Sequence, residues 1–508
     1  MVFLRRGRLL ILLFIFLSAV LLRFLYFPDN TYFGFDQARD AFAVREILSG
    51  HFKITGPPTA TGIFHHGVLY YYLFAPLYFF SGGDPVAVSL FLRVLNAAGI
   101  FLLFLIVYPM FGEIAAYLAA FLFAVSFEQT QFSLFLNHPS LAVISVLVFY
   151  LGLAYWIFRK KAWGLYCALF GLGLSIQFEF VETQLIAVFI LFILIFRKAL
   201  PKINLKYLTV ALFSFLLPIS SYIISELKND FAIVKQVPKL IFGSSSALHP
   251  SLDNLKFLFF INRHISDNFS ANSIGALIIG VLLLIVLAIL IAKKAYIKQL
   301  TFLILWFFGG LLVYFVTSDT AYFYNTGTSI ALLIFVAFLV SKLYLKNRWL
   351  IIPLLFLVFL SNLYLITKNN PLGPNTKINP QIGLLLKDEE KVIDFIYQEA
   401  GGEEFAVNAL TMPYNVNTTW SYLFEWYGKN KYGYVPVWGG DAALGFPGNL
   451  KVETARSKLP TKRFLIIEPQ EGIPDYLTKD FLSGEENYTN VIGGKRIGAL
   501  KVLIQQPR

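Results

Sequence analysis

Cysteine is almost absent: the 508 residues contain one, Cys167, inside an apolar stretch. A lone cysteine excludes a disulfide framework and any zinc site built from cysteines. Charge is scarce as well. Only 14% of residues are Asp, Glu, Lys or Arg, against 57% hydrophobic and a mean hydropathy of +0.66. Soluble globular chains carry about a quarter charged residues, so this share points to lipid as the solvent. The net charge of +12 is no nucleic-acid footprint, because the lysines and arginines fall in short runs between apolar segments. Internal repeats, which many transporters show in two matching halves, are also missing.

Long apolar runs are what the chain has in abundance. Stretches near the ~20 residues that a helix needs to cross the hydrocarbon core recur as far as Thr367. The first, 9–27, follows Arg5, Arg6 and Arg8 and is not followed by a small-residue cleavage site, so it reads as an uncleaved anchor. Basic clusters mark the cytoplasmic side: Arg5/Arg6/Arg8, Arg159/Lys160/Lys161, Arg197/Lys198/Lys202/Lys206, Lys293/Lys294/Lys298 and Lys342/Lys346/Arg348. Placing all five inside gives spans at 9–27, 86–108, 111–127, 139–158, 162–178, 181–196, 206–225, 272–292, 299–317, 326–341 and 349–367. The expectation is a mainly α, polytopic plasma-membrane protein of about eleven transmembrane helices, with its N-terminus cytoplasmic. The run 66–80 is excluded as a span, since counting it would put Arg159–Lys161 outside. With Pro76 inside and His65 and His66 at its head, it reads as an amphipathic or re-entrant helix at the interface.

Residues 1–368 thus form a membrane domain with two long outer loops, 28–85 and 226–271. Short outer turns are expected near 128–138, 178–182 and 318–325. A linker rich in Asn, Pro and Gly, 369–381, leads to residues 382–508, whose composition is soluble and which read as a small extracytoplasmic α/β domain. Helices are expected at 388–400, closed by Gly401 and Gly402, and at 417–427. Strands are expected at 404–410 and 463–467, and a hairpin at 493–505. That region holds no nucleotide loop and no paired catalytic motif.

Candidate chemistry gathers on the outer side. The first loop opens TYFGFDQARDAFAVREILSGHFKITGPP, with Asp36 at the head of a helical stretch and Asp40 on the same face. A carboxylate near a helix N-terminus is favoured in its ionised form, which suits a proton acceptor and equally suits a plain helix cap. Arg39, Arg45 and Lys53 add positive charge nearby. All six histidines, His51, His65, His66, His138, His249 and His264, fall on the outer face; exclusion from lipid accounts for that as readily as function does. Glu179 and Glu182 sit in a short turn at membrane depth, where carboxylates are costly. Glu128, Gln131 and Asn137 line a neighbouring turn. The second loop carries His249, Asp253, Arg263, His264 and Asp267, in no spacing specific to a metal.

The anchor helix, the early loop aspartate and the run G-x-F-H-H-G-V-L-Y-Y-Y-L-x-x-P over residues 62–76 resemble the membrane glycosyltransferases of the GT-C fold. The likeness is to the branch holding the protein O-mannosyltransferases and the lipid A aminoarabinose transferases. It covers residues 1 to about 160 by motif and the rest by topology. The resemblance implies a polyprenyl-phosphate sugar donor, a lipid, glycan or protein acceptor, and inversion at the sugar carbon. It implies Asp36 as general base, with Arg39, Arg45, Lys53, Arg93, Arg263 and His264 as candidates to hold phosphate. Asp40, His65, His66, Glu179, Tyr322 and Tyr324, with Asn325, are the further candidates for binding substrate. Two departures stand out: Gln37 where an acidic residue commonly follows the aspartate, and no proline before Leu69. A divalent cation stays open as a cofactor. The competing expectations are a flippase for lipid-linked sugars and an inactive member that binds them.

Overall fold

A computed structural model describes residues 6–59, 64–232, 234–235, 257–315, 321–375, 381–441 and 445–508. His249 and Asp253 lie outside the described residues.

The apolar runs become helices: α1 (Arg6–Phe24), α4 (Pro85–Phe111), α5 (Glu113–Val125), α7 (His138–Phe158), α8 (Trp163–Phe178), α9 (Gln184–Phe196), α10 (Leu205–Leu216), α11 (Ser220–Lys228), α13 (Ser273–Ala292), α14 (Ile297–Gly309), α15 (Ile330–Tyr344) and α16 (Arg348–Asn369). Among the described residues, five of these are long and apolar enough to cross a membrane, or six if the bent pair α10–α11 is one span. Five shorter apolar segments take the remaining expected positions. This is a multi-pass membrane protein. The expected span 206–225 falls on a broken pair: α10 and α11 meet at 70°. Pro218 sits in the break, where it removes a helix donor.

The first loop is helical where a helical stretch after Asp36 and an interfacial helix at 66–80 were expected. It contains α2 (Phe35–Leu48) and α3 (Leu69–Ser81), the latter a 13-residue helix packed on α2 and α4. The expected turn at 128–138 is instead largely a helix, α6 (Phe127–Leu134), with every residue buried. Ser126 makes it: its hydroxyl accepts from the Gln129 amide at 3.1 Å, capping a new helix where α5 stops. The second loop supplies α12 (Phe257–Phe269).

The soluble region holds α17 (Leu386–Ala400), β1 (Phe405–Leu410), α18 (Thr418–Leu423), β2 (Val437–Trp438), β3 (Lys462–Ile467), α19 (Asp475–Glu486), β4 (Thr489–Ile497) and β5 (Leu500–Pro507). The sheet order is β2-β1-β3-β5-β4, parallel at β1 and antiparallel around β5. β2 and α19 had no clear sequence signal. The region packs on the first loop through one shared core, which joins Phe33, Phe42 and Tyr71 to Trp420, Tyr422 and Phe464. Polar ties reinforce it: Leu386 N–H to the Thr31 carbonyl at 2.9 Å, and the Tyr422 hydroxyl to the Gly83 carbonyl at 2.6 Å. We call this end of the bundle the loop face.

Candidate functional site on the loop face

Gly34 precedes α2, and the Gln37 side chain accepts from its amide at 3.1 Å. Gln37 also donates to the Leu136 carbonyl at 2.8 Å, so it fastens the head of α2 to the α6–α7 connection. That gives the departure at position 37 a structural task. The cap presents Asp36 outward with 46% of its side chain exposed. Arg39 binds Asp36 at 2.6 Å and Asp40 at 2.9 Å, and Asn137 Nδ2 approaches Asp36 at 3.4 Å. With two carboxylates on one guanidinium, the charge of Arg39 is committed locally. It orients Asp36 and is poorly placed to receive a phosphate.

Asp40 is buried beside Arg39, Asp36, Tyr70 and Tyr71, and burial pushes its carboxyl up to about 6 despite Arg39. A raised carboxyl contributes stability below its unfolded value, lost as pH rises through 6. Asp40→Asn mimics the neutral acid, so its thermal stability relative to the parent should improve from pH 5 to pH 7. The full difference, spread over about pH 3 to pH 7, is on the order of 3 kcal/mol, a little under half of it between pH 5 and pH 7. A melting-temperature difference independent of pH would contradict that environment.

Beneath this pair, three segments distant in sequence meet. His66 lies before α3, His138 heads α7 and Glu179 follows α8. The His66 and His138 rings are 3.9 Å apart, and Glu179 Oε2 lies 3.1 Å from His138 Nδ1. Glu179 Oε1 is 3.6 Å from His66 Nδ1, which accepts from the Phe180 amide at 3.4 Å. Glu179 and Glu182 are thus buried, where an exposed turn would have left them in water. Gly67 permits the approach: its N–H donates to the Gln177 carbonyl at 2.9 Å, and a Cβ there would lie 1.9 Å from Gln177 Oε1. Burial pushes the His66 imidazole down to about 3.

A second cluster centres on Glu128 of α6. It meets His264 Nδ1 at 3.0 Å and accepts from Asn268 at 2.6 Å, and the Tyr322 hydroxyl lies 3.3 Å from the same imidazole nitrogen. Arg263 stacks on the Tyr322 ring at 3.5 Å and pairs with Asp267 at 3.0 Å. Its buried Nη1 has no hydrogen-bond partner among the described residues. Another face of α12 lines an apolar groove of about 520 Å³ with residues of α13, α14 and α15, including Ile265, Leu284, Leu303 and Phe335. α6 links the two clusters, carrying Glu128 near one end while the chain just past the other reaches Asp36 through Asn137. Its eight residues span about 12 Å.

Other expected residues lie elsewhere. Arg93 is fully buried, donating to the Arg23 carbonyl at 2.6 Å, Asn30 Oδ1 at 2.9 Å and Ser89 Oγ at 3.1 Å. Those contacts make it a staple between α1 and α4 and bring it to no other candidate. Arg45 pairs with Glu425 at 2.6 Å and lies over Tyr422, holding the soluble region. Lys53 pairs with Glu46. His65 is half-buried, and its carbonyl accepts from the Tyr222 hydroxyl at 3.0 Å. Tyr324 and Asn325 are buried, and Asn325 donates to the Tyr314 hydroxyl at 2.7 Å. Gln131 binds Asn370 at 2.7 Å. Sequence reasoning missed His138 as a site residue. Its signal, a histidine at the head of a span in Asn-His-Pro, was there to read.

Residues 65–224 match the family model described as dolichyl-phosphate-mannose-protein mannosyltransferase. Over the whole chain, the fold matches ArnT from Cupriavidus metallidurans bound to undecaprenyl phosphate, with TM-score 0.61, 12% identity and 97% of each chain covered. The apo form of that protein gives TM-score 0.60 at the same identity and coverage. The chain has the GT-C fold. The family model thus matches under a third of the chain, and the solved structures share its fold. No curated protein matches its sequence. The matched segment holds His66, His138 and Glu179 but stops short of Asp36.

Proposed function

We propose that this GT-C protein transfers a sugar from a polyprenyl-phosphate-linked donor to a hydroxyl of a lipid, glycan or protein acceptor at the outer face of the plasma membrane. The acceptor oxygen bonds to the anomeric carbon as the bond from that carbon to the phosphate oxygen breaks. The electron pair leaves with polyprenyl phosphate, the acceptor proton passes to Asp36, and the sugar carbon inverts. The observation that carries this reading is Asp36 itself. It is a solvent-reachable carboxylate at the head of a loop helix, oriented by Arg39 and set on the same face as a buried arginine whose Nη1 is unengaged among the described residues. The apolar groove beside α12 suits a prenyl chain, and a protein of the same fold was crystallised with undecaprenyl phosphate.

On this reading residues 1–368 are the transferase domain, 369–381 a linker and 382–508 a domain shaping the acceptor side. Sidedness is supported by charge. Arg8 binds Glu113 at 2.6 Å, Arg8 and Arg159 share the Tyr108 ring, and Lys342 lines a pocket with Glu113. Three basic clusters therefore meet at the end we assign to the cytoplasm.

The reading is tested by reconstituting the protein with a labelled polyprenyl-phosphate sugar. Transfer to acceptor supports it; movement of label across the bilayer without product supports a flippase, and binding alone an inactive member. For sidedness, a Cys167→Ala background carrying Glu471→Cys should react with an impermeant maleimide in intact cells, and one carrying Lys161→Cys only after permeabilisation. The reverse pattern rejects the assigned orientation.

A further inference from the structure

Glu179 is completely buried, and neither of its carboxylate oxygens makes a hydrogen bond among the described residues; His138 Nδ1 is likewise without one. An isolated buried carboxylate is costly and is ordinarily paired or bound to a metal. Here its neighbours are two imidazoles. One donor atom from each of His66, His138 and Glu179 can be chosen so that all three lie within 4.8 Å of one another. Ligands held tetrahedrally at about 2.0–2.2 Å from one ion lie about 3.3–3.6 Å apart, so the widest pair must close by up to about 1.5 Å, a side-chain adjustment, to complete the set.

We propose that His66, His138 and Glu179 hold one divalent ion of the zinc class. Two imidazoles and a carboxylate suit zinc and its first-row neighbours, whereas magnesium and calcium take oxygen ligands. The donor set differs from a paired-carboxylate arrangement, which Gln37 in any case does not offer. The ligands come from the first loop, the head of α7 and the turn after α8, so the ion ties together three segments beneath the Asp36–Arg39 pair. Gly67 allows it, since any larger residue would strike Gln177 and lift His66 away. Three protein ligands leave a fourth tetrahedral position for an oxygen donor, either water or a phosphate oxygen. This placement also addresses a shortage noted above, because Arg39 is already engaged by two carboxylates.

The inference stands apart from the transfer reading, because its readout is bound metal. Protein purified without chelator, loaded with Zn²⁺ and desalted should retain about one equivalent by elemental analysis. Loading with Co²⁺ should give the visible absorption bands of a tetrahedral site. His138→Ala and Glu179→Gln should each weaken retention at least about tenfold, while His51→Ala should leave it unchanged. If His138→Ala does not fold, Glu179→Gln, neutral and of the same shape, carries the measurement. A parent protein that retains no Zn²⁺ or Co²⁺ overturns the proposal, and so does retention unaffected by Glu179→Gln. Adding undecaprenyl phosphate to the Co²⁺ form separates the two oxygen sources. A shifted spectrum assigns the fourth position to phosphate, and an unchanged one assigns it to water.

Discussion

Asp36→Asn is expected to lower sugar transfer by about 10²–10⁴-fold, the range for losing a general base, while leaving the protein folded. Asparagine keeps the shape, and its Oδ1 can still accept from Arg39, which now holds the carboxylate at 2.6 Å. The Gln37 cap involves other atoms, so the head of α2 stays in place, and only the long Asn137 contact to Oδ2 at 3.4 Å is given up. What disappears is the capacity to take a proton from the acceptor hydroxyl. Donor KM should therefore change little and kcat collapse, a split that a merely structural aspartate would not produce. Transfer at the parent rate by a folded Asp36→Asn protein would remove Asp36 from the mechanism.

Arg263→Ala is expected to have the next largest effect, on the donor side. The guanidinium is buried against Tyr322 and held by Asp267, with Nη1 still to be satisfied among the described residues. Removing one partner of a buried, hydrogen-bonded charge pair costs about 2–5 kcal/mol. At about 1.4 kcal/mol per decade, kcat/KM for the lipid donor falls by roughly 30-fold to several thousandfold. Arg263→Lys keeps the charge but loses the planar stack and the forked geometry, so it should fall between. If Arg263→Ala leaves kcat/KM unchanged, the departing phosphate is held elsewhere, and the ion on His66, His138 and Glu179 becomes the first place to look.

Much of the membrane architecture was legible because it rests on local signals. Apolar run length and flanking lysines and arginines act on each segment alone, and the expected span positions fall on helices or helix pairs. The misreadings occurred where a local signal had two outcomes. Polar residues at 128–138 read as a turn because helices in lipid are apolar, yet α6 is polar and buried against other protein. Pro218 lay inside an apolar run, and composition does not show that the chain bends there by 70°. Arg93 looked like a ligand because an arginine in a span is expensive. The structure shows that cost offset by a carbonyl, an asparagine and a serine.

By itself, then, the sequence determined that this chain is built of membrane-length apolar segments, where those segments lie, and that an aspartate opens a loop that also carries a His-His motif. Each of these follows from the solvation of one segment or the capping of one helix. Only the tertiary structure decided which charges are already spent: Arg39 between two carboxylates, Arg45 on Glu425, Arg93 in its staple. Only it brought His66, His138 and Glu179 together across more than a hundred residues. Pairing of buried polar groups depends on long-range packing, because a donor's partner is set by which helices touch, and no local pattern encodes that.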